Sequence, residues 1–348
     1  MASEMDELFN NRLINVFKTV NSPAPEVGLT PRQAVWKKNK ATLWYYPAQQ
    51  KKYDTPLYFI YSLINQPFIL DLGPGYSLIQ FFNEKGYDIY LLDFGIPTYA
   101  DKGLTMADYI LRYIKKGVQR ALVHSGASHI SVIGFCMGGT FASIYAAIAD
   151  EPIQNLVLAV APIDFSHFPI FDEWQNSLRN GEIDFDAILD TVGVVPPDLM
   201  RIGLRVVASP VYVSPYLSLL RKGHDEEYAL KWKRFNFWAD SHIPFSGAAL
   251  KQMIQTLGIE NGLINETLLI DGEPVKLSNI NANLLAVGSN VDRLVPKEQV
   301  QPVMDLVSSK DKTFYALKGG HATLASNREV QEFLNSWLSV RSNPIRLG

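Results

Sequence analysis

The sequence predicts an α/β fold, in which a mostly parallel sheet is covered by helices on both faces and carries a mainly helical cap insertion. Short apolar runs of strand type alternate with helical stretches along most of the 348 residues. Such alternation is typical of parallel sheets buried on both faces. The alternation stops after Pro162 and returns at Asn283. We therefore assign 1–50 to an N-terminal helix and connector, 51–162 and 278–348 to the core, and 163–277 to the cap.

The strand runs are rich in β-branched and aromatic residues, and glycine or proline separates them from the helical stretches. Before the cap, we predict an antiparallel strand within Trp36–Tyr46, strands at Leu57–Tyr61, Asp88–Phe94, Ile130–Phe135 and Asn155–Ala161, and helices at Ser77–Lys85, Met106–His124 and Met137–Ala147. After it, we predict strands at Asn283–Val287 and Lys312–Leu317 and helices at Lys297–Val307 and Arg328–Leu338.

The composition limits the possible functions. Hydrophobic residues make up 47% of the chain, which is enough for a sizeable core. The formal net charge of −3 provides no general attraction for nucleic acid or for an anionic membrane. The single cysteine excludes an internal disulfide. The first twenty residues carry acids and amides where a secretory signal needs an apolar core, and no apolar run approaches the roughly 20 residues of a membrane span. We therefore expect a cytoplasmic protein without a transmembrane segment.

Residues 4–20 place an apolar stripe that includes Leu13, Phe17 and Val20 on one side of a helix. Such a stripe must contact another apolar surface. Packing on the core of the same chain is the preferred interpretation, and docking to a partner subunit or an apolar surface is the alternative.

The predicted cap is rich in aromatic residues and proline. Insertions into open parallel sheets gather at the carboxyl ends of the strands. We therefore predict that the cap covers that edge and lines an apolar pocket, the alternative being a helical elaboration that only packs. Its aromatic residues include Phe165, Phe168, Phe171, Trp174, Trp232, Phe235, Phe237, Trp238 and Phe245.

The only cysteine lies between a strand run and a helical run, in the segment GFCMG. The pattern G-x-C-x-G is the nucleophile elbow of the α/β-hydrolases with sulfur in place of oxygen. Gly134 and Gly138 allow the strand and the helix to pass close together, and the helix N-terminus stabilises negative charge at Cys136. We therefore predict that Cys136 is a nucleophile and not a buried structural cysteine.

Two further residues complete a catalytic arrangement. Asp292 follows a later strand and His321 follows the last strand, which is the order of nucleophile, acid and histidine in the α/β-hydrolase triad. We predict that His321 is the general base and that Asp292 orients its ring. The backbone N–H groups of Met137 and Leu63 are the predicted oxyanion donors.

The remaining histidines show no metal-ligand spacing, and no phosphate-binding loop is present in the sequence. We therefore expect no metal site, and we predict structural or exposed positions for His124, His129, His167, His224 and His242.

Several segments resemble the polyhydroxyalkanoate synthases. They are LINQPFILDLGPGYSLIQFFNEKGYDIYLLDFGIPT, GFCMGGT, NLVLAVAPIDF and the stretch from PFSGAALKQMIQ to DRLVP. The resemblance covers roughly residues 57–338. The long N-terminal domain of the class I and II enzymes has no counterpart in this sequence, so the chain is more similar to the short class III and IV catalytic subunits. The box GFCMGGT favours class IV.

The resemblance implies an acyltransferase that polymerises (R)-3-hydroxyacyl-CoA, with 3-hydroxybutyryl-CoA as the expected short-chain substrate, and releases CoA without a cofactor. Cys136 would carry the acyl group. The resemblance also implies association with polyester granules, a small accessory subunit, and a homodimer or larger hetero-oligomer. The family follows its histidine with a hydrophobic residue and glycine, whereas Ala322 and Thr323 follow His321 here.

Two alternatives stay open from the residues alone. One is a cysteine-dependent α/β-hydrolase, either dienelactone-hydrolase-like or a thioesterase. The other is a non-catalytic scaffold at the granule surface.

Overall fold

The computed structural model describes residues 2–166, 185–207, 218–322 and 326–345. Its centre is an eight-stranded sheet in the order β1-β2-β4-β3-β5-β6-β7-β8. The strands are β1 (Gln33–Lys38), β2 (Ala41–Tyr46), β3 (Leu57–Ile60), β4 (Ile89–Asp93), β5 (Ile130–Phe135), β6 (Ile153–Ala159), β7 (Asn283–Ser289) and β8 (Lys312–Leu317). The pairings from β4 to β8 are parallel, and only those that involve β2 are antiparallel. The predicted mostly parallel sheet is confirmed.

Helices cover the sheet on both sides. The helices of the core and the N-terminus are Ala2–Asn21, Leu78–Lys85, Lys116–Ser125, Met137–Ile148, Lys297–Val300, Val303–Leu306 and Arg328–Ser339, with a π-helical stretch at Asp108–Lys115. Short 3-10 turns occur at Pro67–Leu70, Tyr99–Asp101 and Leu277–Asn279.

The central strands are buried on both faces, so successive residues enter different cores. Tyr58 and Ile60 of β3 belong to one hydrophobic cluster, whereas Leu57 and Phe59 belong to the other. All four side chains are fully buried. This double burial explains why the strands appear in the sequence as continuous apolar runs.

Two predicted elements are wrong in detail. The single strand predicted within Trp36–Tyr46 is the hairpin of β1 and β2, which turns at Asn39 with φ 53°. Asparagine adopts this left-handed conformation more readily than other non-glycine residues, so the turn forms without the glycine that usually marks one. The helix predicted at Lys297–Val307 is two short helices, because Pro302 lacks the N–H that a continuous helix requires.

The N-terminal helix leaves its apolar stripe exposed. Leu13, Phe17 and Val20 are 43%, 71% and 48% accessible to solvent, so the preferred interpretation of packing on the chain's own core is wrong for these residues. The helix contacts the helix Glu226–Ala239, and near that contact Lys233 Nζ donates a hydrogen bond to Ser22 Oγ.

The predicted cap segment contains the helices Phe185–Val192, Pro197–Val207, Glu226–Ala239 and Gly247–Gln252 and the π-helical stretch Met253–Ile259. Two-residue strands pair at Val194–Val195 with Phe245–Ser246 and at Leu269–Ile270 with Glu273–Pro274. Phe168, Phe171, Trp174 and His167 lie outside the described residues.

The last part of the predicted cap packs into the core of the sheet. Phe245 is fully buried and stacks on Tyr109, with ring centroids 6.0 Å apart. Leu257 and Leu268 belong to the same hydrophobic cluster as Phe141 of the core. The boundary predicted at residue 277 therefore divides residues that share one core. None of the helices within the described ranges is long and apolar enough to cross a membrane.

Candidate active site

Cys136 lies at the sharp turn between β5 and the helix Met137–Ile148. Its backbone has φ 52° and ψ −129°, a conformation that a non-glycine residue rarely adopts. A Cβ on Gly134 would lie 2.4 Å from the Cα of Gly139, and one on Gly138 would lie 2.5 Å from the carbonyl oxygens of Ile60 and Tyr61. Both positions therefore require glycine, and the predicted elbow is confirmed in the structure.

Asp292 and His321 meet at the carboxyl edge of the sheet. His321 Nδ1 donates a hydrogen bond of 2.7 Å to Asp292 Oδ2. The other carboxylate oxygen, Oδ1, accepts the backbone N–H groups of Leu294 and Val295 at 2.8 Å and 3.0 Å. Burial alone would raise the pKa of the Asp292 carboxyl, but the charge and hydrogen bond of His321 and the two N–H groups hold it below its usual value. The carboxylate therefore stays charged next to the imidazole.

His321 interacts with both of its predicted partners. Burial alone would lower the pKa of the imidazole, but the charges of Asp292 and of the Cys136 thiolate, with hydrogen bonds to both side chains, raise this pKa well above its usual value. Because Nδ1 is bound to Asp292, Nε2 is the nitrogen left for Cys136. The structure thus brings the three predicted residues together, and their roles as nucleophile, base and orienting acid stay predictions. Thr323, which follows Ala322, lies outside the described residues.

A cavity of about 90 Å³ lies over Cys136 and His321. Its other lining residues are Tyr61, Ser62, Ile64, Asn65, Trp238, Ala239, His242 and Leu294. Most of these come from two segments, the loop after β3 and the end of the helix Glu226–Ala239. The prediction that the cap contributes to the site is correct for Trp238. His242 lines the same cavity as Cys136, and its structural or exposed role stays a prediction.

Tyr61 lines the cavity, and its hydroxyl group is close enough to Cys136 for the charge of the sulfur to affect its pKa. Burial raises the pKa of its hydroxyl well above the usual value, and the negative charge of Cys136 raises it further. Tyr61 is therefore a neutral hydroxyl group beside the sulfur. Reasoning from sequence located the loop after β3 but did not single out this residue.

Hydrogen bonds hold the cap helix Glu226–Ala239 against the loop after β3. Trp238 Nε1 donates to the carbonyl oxygen of Gln66 at 3.1 Å, and Asn65 Nδ2 donates to the carbonyl oxygen of Trp238 at 3.1 Å. Phe237 stacks on Phe68, with ring centroids 5.5 Å apart. The cap and the loop therefore form one wall of the cavity.

The two predicted oxyanion donors differ in their placement. Met137 is the first residue of its helix, so its N–H is one of those that have no partner inside the helix. Leu63 is 3% exposed and its side chain packs in the hydrophobic core, whereas its neighbours Ser62 and Ile64 line the cavity. The role of the Leu63 N–H stays a prediction.

Comparisons with known proteins establish the family. The family model for the α/β hydrolase fold matches residues 69–325, which is more than half of the chain. The poly(3-hydroxyalkanoate) polymerase subunit PhaC of Haloferax mediterranei is 33% identical, over 91% of this chain and 65% of its own length. The PhaC subunit of Haloarcula marismortui is 31% identical, over 91% of this chain and 69% of its own length. The chain belongs to the poly(3-hydroxyalkanoate) polymerase family.

Other members of this polymerase family match over most of their length. The PhaC subunit of Allochromatium vinosum is 28% identical, and the alignment covers 92% of this chain and 92% of that subunit. The chain therefore spans about two thirds of the Haloferax and Haloarcula polymerase subunits and nearly the whole of the Allochromatium one. The resemblance to polyhydroxyalkanoate synthases expected from the sequence motifs is confirmed.

Solved structures support the fold assignment. MenH from S. aureus has a TM-score of 0.51 at 15% identity, over 86% of this chain and 98% of MenH. The monoacylglycerol lipase of Paleococcus ferrophilus has a TM-score of 0.52 at 15% identity, over 86% of this chain and 99% of the lipase. At this level of identity the likeness concerns the fold alone. With the family model, it confirms the predicted α/β-hydrolase fold of this polymerase family member.

Proposed function

We propose that this protein polymerises (R)-3-hydroxyacyl-CoA thioesters into polyhydroxyalkanoate and releases CoA, through an acyl intermediate on Cys136. The observation that carries the proposal is a strained cysteine elbow facing the Asp292–His321 pair, in a chain of the polymerase family. No cofactor takes part in the proposed chemistry.

Acylation begins when Cys136 Sγ attacks the carbonyl carbon of the thioester. His321 holds the proton of the thiol, and Asp292 stabilises the resulting imidazolium through the 2.7 Å hydrogen bond. The negative charge that forms on the carbonyl oxygen is stabilised by backbone N–H groups, with Met137 as the first donor. The bond to CoA sulfur then breaks, CoA leaves with the proton from His321, and the acyl group stays on Cys136.

Chain growth requires a hydroxyl group to attack the acyl group on Cys136. His321 is free again to accept the proton of this hydroxyl, and the proton passes to the leaving sulfur of Cys136. One ester bond forms and one thioester bond breaks, so no further reactant is needed. Water at this stage would release a free acid, and a closed cap therefore favours polymer over hydrolysis. Trp238 and Ala239 are the cap residues placed to exclude water.

A small cavity supports a short acyl chain as the preferred substrate. The space over Cys136 measures about 90 Å³ and lies between the loop after β3 and the cap. 3-Hydroxybutyryl-CoA is therefore the proposed monomer. We also propose that the protein is a class IV enzyme, the class that the GFCMGGT box favours, and that it associates with polyester granules.

The exposed stripe of the N-terminal helix is the proposed docking surface for a small accessory subunit. Leu13 and Phe17 lie exposed on one helix of the protein, so aspartate there costs little folding free energy. Phe17→Asp should remove binding of the subunit with an unchanged melting temperature. Asn11→Asp, at an exposed position of the same helix outside the stripe, adds the same single negative charge and is the matched control. Unfolding of Phe17→Asp, or unchanged binding, would contradict the role of this surface in docking.

Homodimers or larger hetero-oligomers are the proposed assembly.

The product distinguishes the polymerase from its alternatives. Purified protein, with its partner subunit, receives 3-hydroxybutyryl-CoA, and free CoA and turbidity are followed together. The polymerase gives CoA and insoluble polymer, whereas monomeric 3-hydroxybutyrate without polymer would indicate a hydrolase. Cys136→Ala should give neither product. A wild type that releases no CoA and forms no polymer would instead indicate a non-catalytic scaffold.

A further inference from the structure

Ser62 lies beside the nucleophile, in the loop that follows β3. The carbonyl oxygen of Tyr61 packs against Gly138, where a Cβ would lie 2.5 Å from that oxygen. Ser62 is therefore joined directly to the peptide group that covers the first turn of the helix after Cys136. Its side chain lines the same cavity as Cys136 and His321.

The Ser62 hydroxyl is buried without a partner. The residue is 7% exposed, and its Oγ has no hydrogen-bond partner among the residues that the structure describes. The polar groups next to it are bound: Asn65 Nδ2 donates to the Trp238 carbonyl oxygen, and the Tyr61 hydroxyl interacts with the Trp238 side chain. Buried hydroxyl groups are almost always hydrogen-bonded, so one without a partner beside a nucleophile points to a bound ligand.

Ser62 also lines a second cavity. This space of about 110 Å³ shares only Tyr61, Ser62 and Asn65 with the cavity over Cys136. Its remaining wall is mainly apolar and includes Leu92, Phe94, Ile96 and Ile243. Ser62 therefore stands between the reacting sulfur and a neighbouring space that suits an aliphatic polyester chain.

We propose that Ser62 is a substrate-positioning residue whose hydroxyl binds the 3-oxygen of the acyl group on Cys136 and directs the chain toward the second cavity. This inference rests on the proposed polymerase function. In the monomer the 3-oxygen is a hydroxyl, which donates and accepts, and in the growing chain it is an ester oxygen, which only accepts. A serine hydroxyl can bind both forms, because it donates one hydrogen bond and accepts others.

The test removes the Ser62 hydroxyl and the 3-oxygen of the substrate separately. Wild type and Ser62→Ala are acylated in single turnovers by (R)-3-hydroxybutyryl-CoA and by butyryl-CoA, which has the same chain without the 3-oxygen. Ser62→Ala should lower kcat/KM for acylation by 3-hydroxybutyryl-CoA about tenfold. It should change the value for butyryl-CoA less than about twofold. Ser62→Thr retains the hydroxyl and should restore the preference for the 3-hydroxy substrate.

Equal losses with both substrates would overturn the inference, because Ser62 would then act on the carbonyl group or on the fold. Unchanged rates with both substrates would overturn it as well. The melting temperature of Ser62→Ala should match that of wild type, since only one unbonded oxygen is removed. If wild type forms no acyl-enzyme with either substrate, the polymerase proposal fails and this inference fails with it. If both substrates acylate the wild type, the comparison with Ser62→Ala tests the role of Ser62 separately from the polymerase proposal.

Discussion

The two walls of the active-site cavity are held by different kinds of contact. On the sheet side, Asp292 is fixed by N–H groups two and three residues further along the chain, and Cys136 is fixed by its own elbow. On the cap side, Trp238 is held by the carbonyl oxygen of Gln66, which lies 172 residues away in the sequence. Cys136 and Asp292 are therefore positioned by local backbone structure, and the cap wall is positioned by long-range packing.

This difference predicts how each wall responds to substitution. On the sheet side, the side chains of Asp292 and His321 orient reacting atoms, so their substitution should affect the rate much more than the stability, whereas a clash in the close-packed backbone of the elbow should affect the stability. Long-range contacts on the cap side join two segments, so their loss should have small effects on stability and on the fate of the acyl group. The following predictions test this division, from the largest expected effect to the smallest.

Asp292→Asn should have the largest effect on rate. An amide in place of the carboxylate presents N–H groups to Nδ1 of His321 and favours the wrong tautomer. The rate of CoA release should fall by about 10⁴-fold, the loss known for the orienting carboxylate of serine proteases. Steady-state kinetics with 3-hydroxybutyryl-CoA measures it, and Asp305→Asn on the exposed surface serves as the control. A loss below tenfold would show that Asp292 does not orient the base.

Gly134→Ala should have the largest effect on stability. The new methyl group would lie 2.4 Å from the Cα of Gly139, where backbone must move. We expect a loss of about 3 kcal/mol in the free energy of unfolding. Urea denaturation measures it against Gly103→Ala, whose added Cβ meets no atom within 4 Å. If both variants unfolded at the same urea concentration, the close strand-to-helix contact at the elbow would be refuted.

The Asp292–His321 pair should make stability depend on pH. The pKa of Asp292 is lowered from 3.8, so its contribution is present above about pH 3.8 and is lost as the pH falls through the lower folded value. The pKa of His321 is raised above 6.5, so its contribution is complete below pH 6.5 and is lost as the pH rises through the folded value. The stability advantage of wild type over Asp292→Asn should therefore be greatest between pH 3.8 and 6.5. Denaturation of both proteins from below pH 3.8 to above pH 6.5 measures this advantage, and an advantage that grows as the pH rises above 6.5 would contradict the assigned pair.

Trp238→Phe should have the smallest effect on stability. Phenylalanine retains one aromatic ring but lacks the indole N–H, so the hydrogen bond from Nε1 to the Gln66 carbonyl oxygen and the interaction with the Tyr61 hydroxyl are lost together with part of the ring. Relative to a Trp→Phe change that loses only the ring volume, the cost should be about 1 kcal/mol of unfolding free energy. Trp44→Phe is the matched control, because the buried Nε1 of Trp44 has no partner among the described residues. Denaturant unfolding of both variants measures the difference. A larger loss for Trp44→Phe would contradict the assigned bond, and a higher fraction of free 3-hydroxybutyrate from Trp238→Phe would support water exclusion by the cap.

The same division explains what could be predicted from sequence. Cys136, Asp292 and His321 follow strands in a known order, and backbone groups close in the sequence hold Cys136 and Asp292, so the three residues could be selected as candidates before the structure. Tyr61, Ser62 and His242 could not be assigned, because their position depends on how the cap helix packs on the loop after β3. The exposed stripe at Phe17 was misjudged for the same reason, since periodicity shows that a helix face is apolar but not what covers it.

Errors in the fold have local causes. The hairpin of β1 and β2 was missed because Asn39 turns without glycine. The split of the helix at Pro302 is a signal that the sequence does contain, and the proline rule alone predicts it.

The acyl group on Cys136 is the central claim, and intact-mass spectrometry tests it most directly. Wild type mixed briefly with (R)-3-hydroxybutyryl-CoA and quenched in acid should carry acyl adducts, and peptide mapping should place them on Cys136. Cys136→Ala should carry none and should release no CoA. Polymer formation without an adduct on Cys136, or an adduct that persists in Cys136→Ala together with CoA release, would contradict the account.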